Sequence, residues 1–323
     1  MSFETSSGNA VSRWHKMLKM SRINKSDISW EGHLSLFVAY VIFGLSAPIA
    51  KMAMSADGID AQSLTFFRVS GACLLFWGAS LFLPRERVSK KDLLLLLGAS
   101  VFGIVLNQMS YITGLSKTSP VDASLIATLG PVVTMLISAA YLKEPISFKK
   151  VFGVLTGAAG VILLVLTGKH LLTGESHLVG NLLCLSSSLF FAIYLVVFRD
   201  LIRKYSPVTV MKWMFLFATL LCLPVCYNNI RAVDYAALRP ATYAQIAYVV
   251  VGATFIAYFL LPIGQKRLRP TIVSMYNYIQ PLVSAFVAVA MGLDAFGWDK
   301  AAATVLIFAG VYIVTQSRAR QNA

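Results

Sequence analysis

Along the chain, apolar residues gather into ten runs: 33–54, 62–83, 93–114, 121–142, 150–167, 179–199, 208–227, 243–263, 271–292 and 300–317. Short polar segments, most of them basic, separate the runs. A helix crosses the roughly 30 Å hydrocarbon core of a bilayer in about 20 residues. Each run therefore reaches across, with 150–167 and 300–317 the shortest. Backbone groups in lipid must be bonded inside their own segment, which selects helices. The pattern predicts an all-α, polytopic membrane protein with ten transmembrane helices, and no connection is long enough to hold a soluble domain. The polar, basic residues 1–32 read as a cytoplasmic tail leading into a retained first helix of full spanning length, unlike a signal peptide. Residues 318–323 read as a second cytoplasmic tail.

Composition agrees with this pattern. Of 323 residues, 57% are hydrophobic and 13% charged, against about 45–50% and about 25% in soluble domains. An ordinary soluble enzyme and a disordered chain are both excluded. The net charge of +14 changes the picture only through its placement. With the N-terminus inside, 20 Lys and Arg fall in inside segments, 5 in outside loops and three, Lys51, Arg68 and Lys212, within spans. Basic residues concentrate in cytoplasmic loops, so both termini are placed in the cytoplasm. The anionic partner of this charge is the lipid bilayer, and no nucleic-acid partner is expected. Cys73, Cys184, Cys222 and Cys226 lie in apolar runs without a C-x-x-C pair and read as small buried hydrophobes. No metal site or cofactor is expected.

The chain also repeats itself. Gly114-Leu-Ser-Lys-Thr-Ser-Pro120 is matched 150 residues later by Gly264-Gln-Lys-Arg-Leu-Arg-Pro270. The same offset pairs Pro131 with Pro281, Glu144 with Asp294, Phe148 with Trp298, Lys150 with Lys300 and Gly160 with Gly310. Phe43 to Lys51 pairs more weakly with Phe191 to Arg199, at an offset of 148. Each half, 33–167 and 179–317, then holds five spans. Five is odd, so the second half enters the membrane from the opposite side. Such inverted repeats place a substrate site near the midplane between the halves and provide two near-equivalent states, each open to one side.

At these residues the chain resembles the drug/metabolite transporter superfamily, in its EamA branch. The resemblance rests on Tyr111-Ile-Thr-Gly-Leu-Ser-Lys-Thr-Ser-Pro-Val-Asp-Ala-Ser124, Gly130-Pro131, Leu142-Lys-Glu-Pro-Ile146, Gly153 and Gly160. It continues in the second copy through Pro270, Ser274, Pro281, Gly292, Trp298 and Gly310, and includes Lys51 and Arg68. Phe43 stands where the family usually has Trp. The resemblance covers about residues 33–317. It implies a ten-helix inner-membrane carrier whose cavity is lined by spans 1, 3, 4, 6, 8 and 9. It also implies export or exchange of amino acids, other metabolites or drugs, without nucleotide hydrolysis.

The candidate residues follow. Pro131 (with Gly130 beside it) and Pro281 each fall about ten residues into a span, where a proline kinks a helix; they read as hinges, or as static kinks that improve packing. Asn107, Gln108 and Tyr111 in span 3 are polar residues in an apolar run, as are Tyr276, Asn277 and Gln280 in span 9. Tyr194 in span 6 and Tyr258 in span 8 complete the set. They are expected either to face a substrate cavity or to bond neighbouring helices. Lys51 and Arg68 either attract an anionic or zwitterionic small-molecule substrate, or snorkel beside Asp57 or Asp60. Their nearness to an interface favours snorkelling. The spacings Gly153-x-x-x-Gly157 and Gly157-x-x-Gly160 permit close helix approach, within one chain or in a homodimer.

A secondary transporter is the function this pattern supports. The alternatives are a membrane-embedded enzyme and a non-transporting scaffold. An enzyme would need clustered nucleophiles, bases or ligands, whereas His15, His33, His170 and His177 sit in tails, loops or span ends and H-E-x-x-H is absent.

Overall fold

The computed structural model describes residues 30–56, 59–118, 123, 126–127, 129–167, 178–290 and 297–316. Among the described residues the regular structure is helical, with no strand. The main helices are α1 (Trp30–Ala56), α2 (Ala61–Ser80), α3 (Lys90–Lys117), α4 (Gly130–Tyr141) and α5 (Phe148–Thr167). They continue as α6 (Leu178–Val197), α7 (Pro207–Ala232), α8 (Pro240–Arg267), α9 (270–290) and α10 (Trp298–Thr315). A short helix, Arg199–Lys204, joins α6 to α7. Five of these, α1, α3, α6, α7 and α8, are long and apolar enough to cross a membrane. Helix α2 has 20 residues but carries Arg68 and five amide or hydroxyl side chains. Most of the tail at 1–32 and all of 318–323 lie outside the described residues, as do His170 and His177.

Helix starts follow local chemistry. Asp60 caps α2 by accepting from the Ser63 N–H at 2.6 Å, Ser89 caps α3 through the Asp92 N–H, and Ser206 caps α7 through the Thr209 N–H. Each side-chain oxygen satisfies one of the donors a helix leaves free at its first turn.

The close approaches recur at the repeat offsets. A Cβ on Gly114 of α3 would lie 2.7 Å from Cys184 Sγ of α6. A Cβ on Gly264, 150 positions later in α8, would lie 2.3 Å from Leu36 Cγ of α1, 148 positions before Cys184. The α3–α6 contact thus reappears as α8–α1. The pairs α2–α7, α4–α9 and α5–α10, each joining equivalent helices, also pack together. The small residues of α5 meet α10 of the same chain: Gly153 faces the Gly310 carbonyl, and Gly160 faces that of Ala303. This stripe is therefore used within the chain.

Two irregularities were not expected from sequence. Helix α3 passes through a π-helical stretch at Val101–Leu106, and α8 through another at Tyr248–Ile256. At the offset of 150 the first maps onto 251–256, inside the second. π-Turns are rare and concentrate where a helix serves a site. Both lie one turn or less from polar residues of the central cavity described below.

The loops joining α2 to α3, α4 to α5 and α6 to α7 share one end of the bundle and are tied by charge. Asp92 accepts from Lys204 (2.6 Å), Tyr205 (2.5 Å) and Ser89 (2.7 Å). These bonds, Lys204 first, hold its carboxyl down at about 2, so this inter-half tie stays ionised at any physiological pH. Lys143, at φ 52°, turns the chain after α4. Glu144 next to it pairs with buried Lys150 at 2.7 Å and lies 3.9 Å from Arg199 of the second half. Arg267 pairs with Glu31, again across the halves.

Candidate functional site

The irregular helices surround a central cavity of about 110 Å³. That is several times the roughly 10–15 Å³ one water needs. Its walls come from both halves, in part at matching positions. Helix α1 supplies Tyr40, Phe43 and Ser46, and α6 supplies Ser187, Ser188 and Phe191. At the offset of 148, Tyr40 corresponds to Ser188 and Phe43 to Phe191. Helix α3 gives Asn107, Gln108 and Tyr111, and α8 gives Tyr258. Asn277 and Gln280 come from α9, and Ala127, equivalent to Asn277, precedes α4.

Gln108 and Tyr258 stand 150 positions apart and touch. Gln108 Nε2 donates to Tyr258 Oη at 3.1 Å, and both residues are buried. Residues equivalent under the repeat offset thus meet inside the cavity. Asn107 donates to the Ser187 carbonyl (3.0 Å) and hydroxyl (2.9 Å), joining α3 to α6. Gln280 donates to Asn277 Oδ1 at 3.1 Å, within α9. The aromatic wall is a chain of edge-on contacts running Tyr40, Phe43 and Tyr258, backed by Phe215 behind Tyr258, with centroids 5.3–5.7 Å apart. Such geometry matches the positive ring edge of one to the negative face of the next.

Several sequence expectations need correction. Tyr194 and Tyr276 do not line the cavity. Tyr194 lies over Gly103 and donates to Gln265 Oε1 at 3.1 Å, while Tyr276 Oη shares a 2.6 Å hydrogen bond with His33 Nδ1. A helix has room for only one strip against a cavity, and both rings fall on the strip facing a neighbour. Pro131 is not in a helix interior either. It opens α4 in the first turn, where its missing N–H leaves no bond unmade. The segment 119–122 before it, with Asp122, lies outside the described residues. Pro281 does sit at a break. It cannot bond the Asn277 carbonyl four residues back, and α9 tightens into a 3₁₀ turn at Tyr276–Tyr278 beside it. Gly130 approaches that turn, since a Cβ there would stand 3.0 Å from Asn277 Nδ2.

The two bases separate. Lys51 donates to the carbonyls of Leu115 (2.8 Å), Ser116 (3.2 Å) and Thr118 (3.3 Å), where α3 ends. A cation there complements the carbonyls a helix leaves free and the negative end of its dipole. Arg68 does not snorkel. It is 4% exposed, lines the cavity, and donates from Nε to Thr254 Oγ1 in the π-stretch of α8 at 3.1 Å. Asp60, its expected partner, caps α2 and accepts from Asn229 at 2.7 Å; Asp57 lies outside the described residues.

Sequence reasoning missed Tyr40, Phe43, Ser46, Ser187, Ser188, Phe191 and Thr254. The offset of 148 was a usable signal for Tyr40, Ser188, Phe43 and Phe191. Nothing in the sequence pairs Thr254 with Arg68. Among the described residues, no group of three or more His, Cys, Asp or Glu stands ready to hold a metal.

A family model described as the EamA-like transporter family matches residues 30–166 and 178–316. "Uncharacterized transporter YetK" of Bacillus subtilis (strain 168) is 20% identical over 292 residues, 90% of this chain and 88% of that protein. "Uncharacterized inner membrane transporter YicL" of Salmonella typhimurium is 24% identical over 300 residues, 91% of this chain and 98% of that one. "Aromatic amino acid exporter YddG" of Ancylobacter novellus is 26% identical over 208 residues, covering 64% and 70%. A solved crystal structure superposes with a TM-score of 0.67 at 20% identity, covering 88% of this chain and 96% of its own, a likeness of fold.

Proposed function

We propose, for a chain that belongs to the EamA-like transporter family and is a membrane transporter rather than an enzyme, that it works as a secondary carrier through its central cavity. In this reading ten spans form two inverted five-helix repeats in a cell's inner (plasma) membrane, with both termini cytoplasmic. A small solute is exported or exchanged by alternating access. The hinge is the Tyr276–Tyr278 turn before Pro281, and Gly130-Pro131 opens the equivalent helix.

The observation that carries the proposal is the Gln108–Tyr258 bond between repeat-equivalent residues within the cavity. A site on the axis relating two halves meets nearly the same walls when the halves exchange conformations, which alternating access requires. The excess of Lys and Arg in the loops at one end supports the orientation. The names of the relatives support the transport class, and that of the Ancylobacter protein supports export.

Cavity filling tests it. Ser188→Trp places a ring in the cavity, and Leu189→Trp places one on an exposed position of the same helix. In proteoliposomes screened with a broad metabolite panel, Ser188→Trp is expected to abolish the flux seen with the wild type, and Leu189→Trp to leave it intact. Full flux through folded Ser188→Trp protein would rule out the cavity as the route.

A further inference from the structure

Arg68 has no counterpart in the other half, where the offsets of 148 and 150 place Leu216 and Ala218. Among the described residues it is also the only Lys or Arg on the cavity wall, and no ion pair includes it. A cation held away from water without an opposite charge is costly, and its surroundings show what it is held for. We infer that Arg68 is a carboxylate-binding subsite, and that the solute is a small carboxylate with an apolar body and an N–H or O–H donor. This inference rests on the cavity being the transport site.

Donor and acceptor accounting fixes the orientation of the guanidinium. The π-turn in α8 lets the Thr254 hydroxyl donate to the Val249 carbonyl, five residues back, at 2.7 Å. With its proton committed there, the Thr254 oxygen offers a lone pair, and Arg68 Nε takes it at 3.1 Å. The two terminal nitrogens have no hydrogen-bond partner among the described residues, and the side chain borders the cavity. A guanidinium held by Nε presents the planar fork that meets a carboxylate with two parallel bonds.

A second polar pole is also unpaired. Gln108 is 2% exposed; its Nε2 is spent on Tyr258, and its buried Oε1 has no partner. Tyr40 Oη is likewise buried and unpartnered. Both residues line the cavity. A buried acceptor without a donor is expensive unless a ligand brings one, so Gln108 calls for an N–H or O–H on the solute. Phe43, Phe191 and Tyr258 form the apolar wall against its body. With one cation and no carboxylate among the described residues of the wall, the site disfavours a phosphate dianion and a net cation alike.

The test uses the full-length protein, with two readouts for each probe: thermal stabilisation in detergent and counterflow in proteoliposomes. The probes are L-phenylalanine, L-leucine, 3-phenylpropionate, its carboxamide, phenyl phosphate and phenethylammonium. The variants are Arg68→Gln, Arg68→Lys and Thr254→Val. At least one carboxylate should act on the wild type while the carboxamide and phenethylammonium do so weakly. Arg68→Gln should weaken the carboxylate about 10- to 100-fold, the range for a charged hydrogen bond, and leave the carboxamide unchanged. Arg68→Lys should retain part of the response. Thr254→Val should fall between it and the wild type, so the inference stays testable if Arg68→Gln does not fold. Carboxylate stabilisation that depends on Arg68 but comes without flux of any probe upholds the subsite and removes the carrier reading. Flux that ignores Arg68, or that favours phenyl phosphate or phenethylammonium, overturns the subsite and leaves the carrier reading standing. No response to any carboxylate by either readout overturns the inference.

Discussion

Gly310→Leu should yield almost no folded protein. A Cβ at this position would stand 2.6 Å from the Gly153 carbonyl oxygen, 2.6 Å from the Gly157 nitrogen and 2.8 Å from its Cα. Flexible side chains could move aside, but these neighbours are backbone, so α5 and α10 must separate. Overpacking costs about 1–3 kcal/mol in a core that can partly relax, and occasionally more; a rigid backbone contact belongs at the upper end. Helices in lipid associate through packing of this kind, and α5–α10 is the most extensive helix pair among the described residues. Folded yield and thermal midpoint after detergent extraction measure the effect. A wild-type midpoint for Gly310→Leu would show that the close approach is not needed.

Lys150→Met should be the most damaging change among the charged residues at the loop end. Lys150 is 1% exposed, bonded to Glu144 Oε2 at 2.7 Å and, weakly, to the Pro145 carbonyl at 3.4 Å. Removing one member of a buried pair leaves the other charge unpaired and costs about 3–5 kcal/mol. Arg199, 3.9 Å from the other carboxylate oxygen, compensates only in part. The pair itself adds little over apolar residues of like volume. The double variant Lys150→Met/Glu144→Leu should therefore recover most of the stability lost by Lys150→Met. Chemical denaturation of the two variants compares them, and a double variant no more stable than the single would contradict this account.

How much of this was legible in the sequence depends on the kind of signal. Transporter membership was readable because Gly114, Pro131 and Gly160 recur as Gly264, Pro281 and Gly310 at one offset. Asn107, Gln108, Tyr111, Tyr258, Asn277 and Gln280 stood out as polar residues in apolar runs, and all six line the cavity. Tyr194 and Tyr276 met the same criterion and took the other expected course, bonding neighbouring helices, because a polar side chain in lipid needs a partner without having to face a cavity. For Tyr276 that partner is His33, 243 positions away. Arg68 was assigned to the interface from its depth along α2, since hydropathy reports depth and not the face of the helix. Its burial depends on Thr254 and a π-turn that no periodicity encodes. Pro131 was read as an interior kink because the apolar run continues through it, although the helix restarts there.

Two-sided access to the cavity tests the central claim most directly. With Cys73, Cys184, Cys222 and Cys226 replaced by Ala, a single Asn277→Cys carries the only thiol, on the cavity wall. Membrane-impermeant thiol reagents are then applied to right-side-out and to inside-out vesicles. A carrier whose halves alternate around this cavity should be labelled from both sides, with a saturating transported solute slowing both reactions. Labelling from neither side, or from one side only whatever solutes are added, would contradict it.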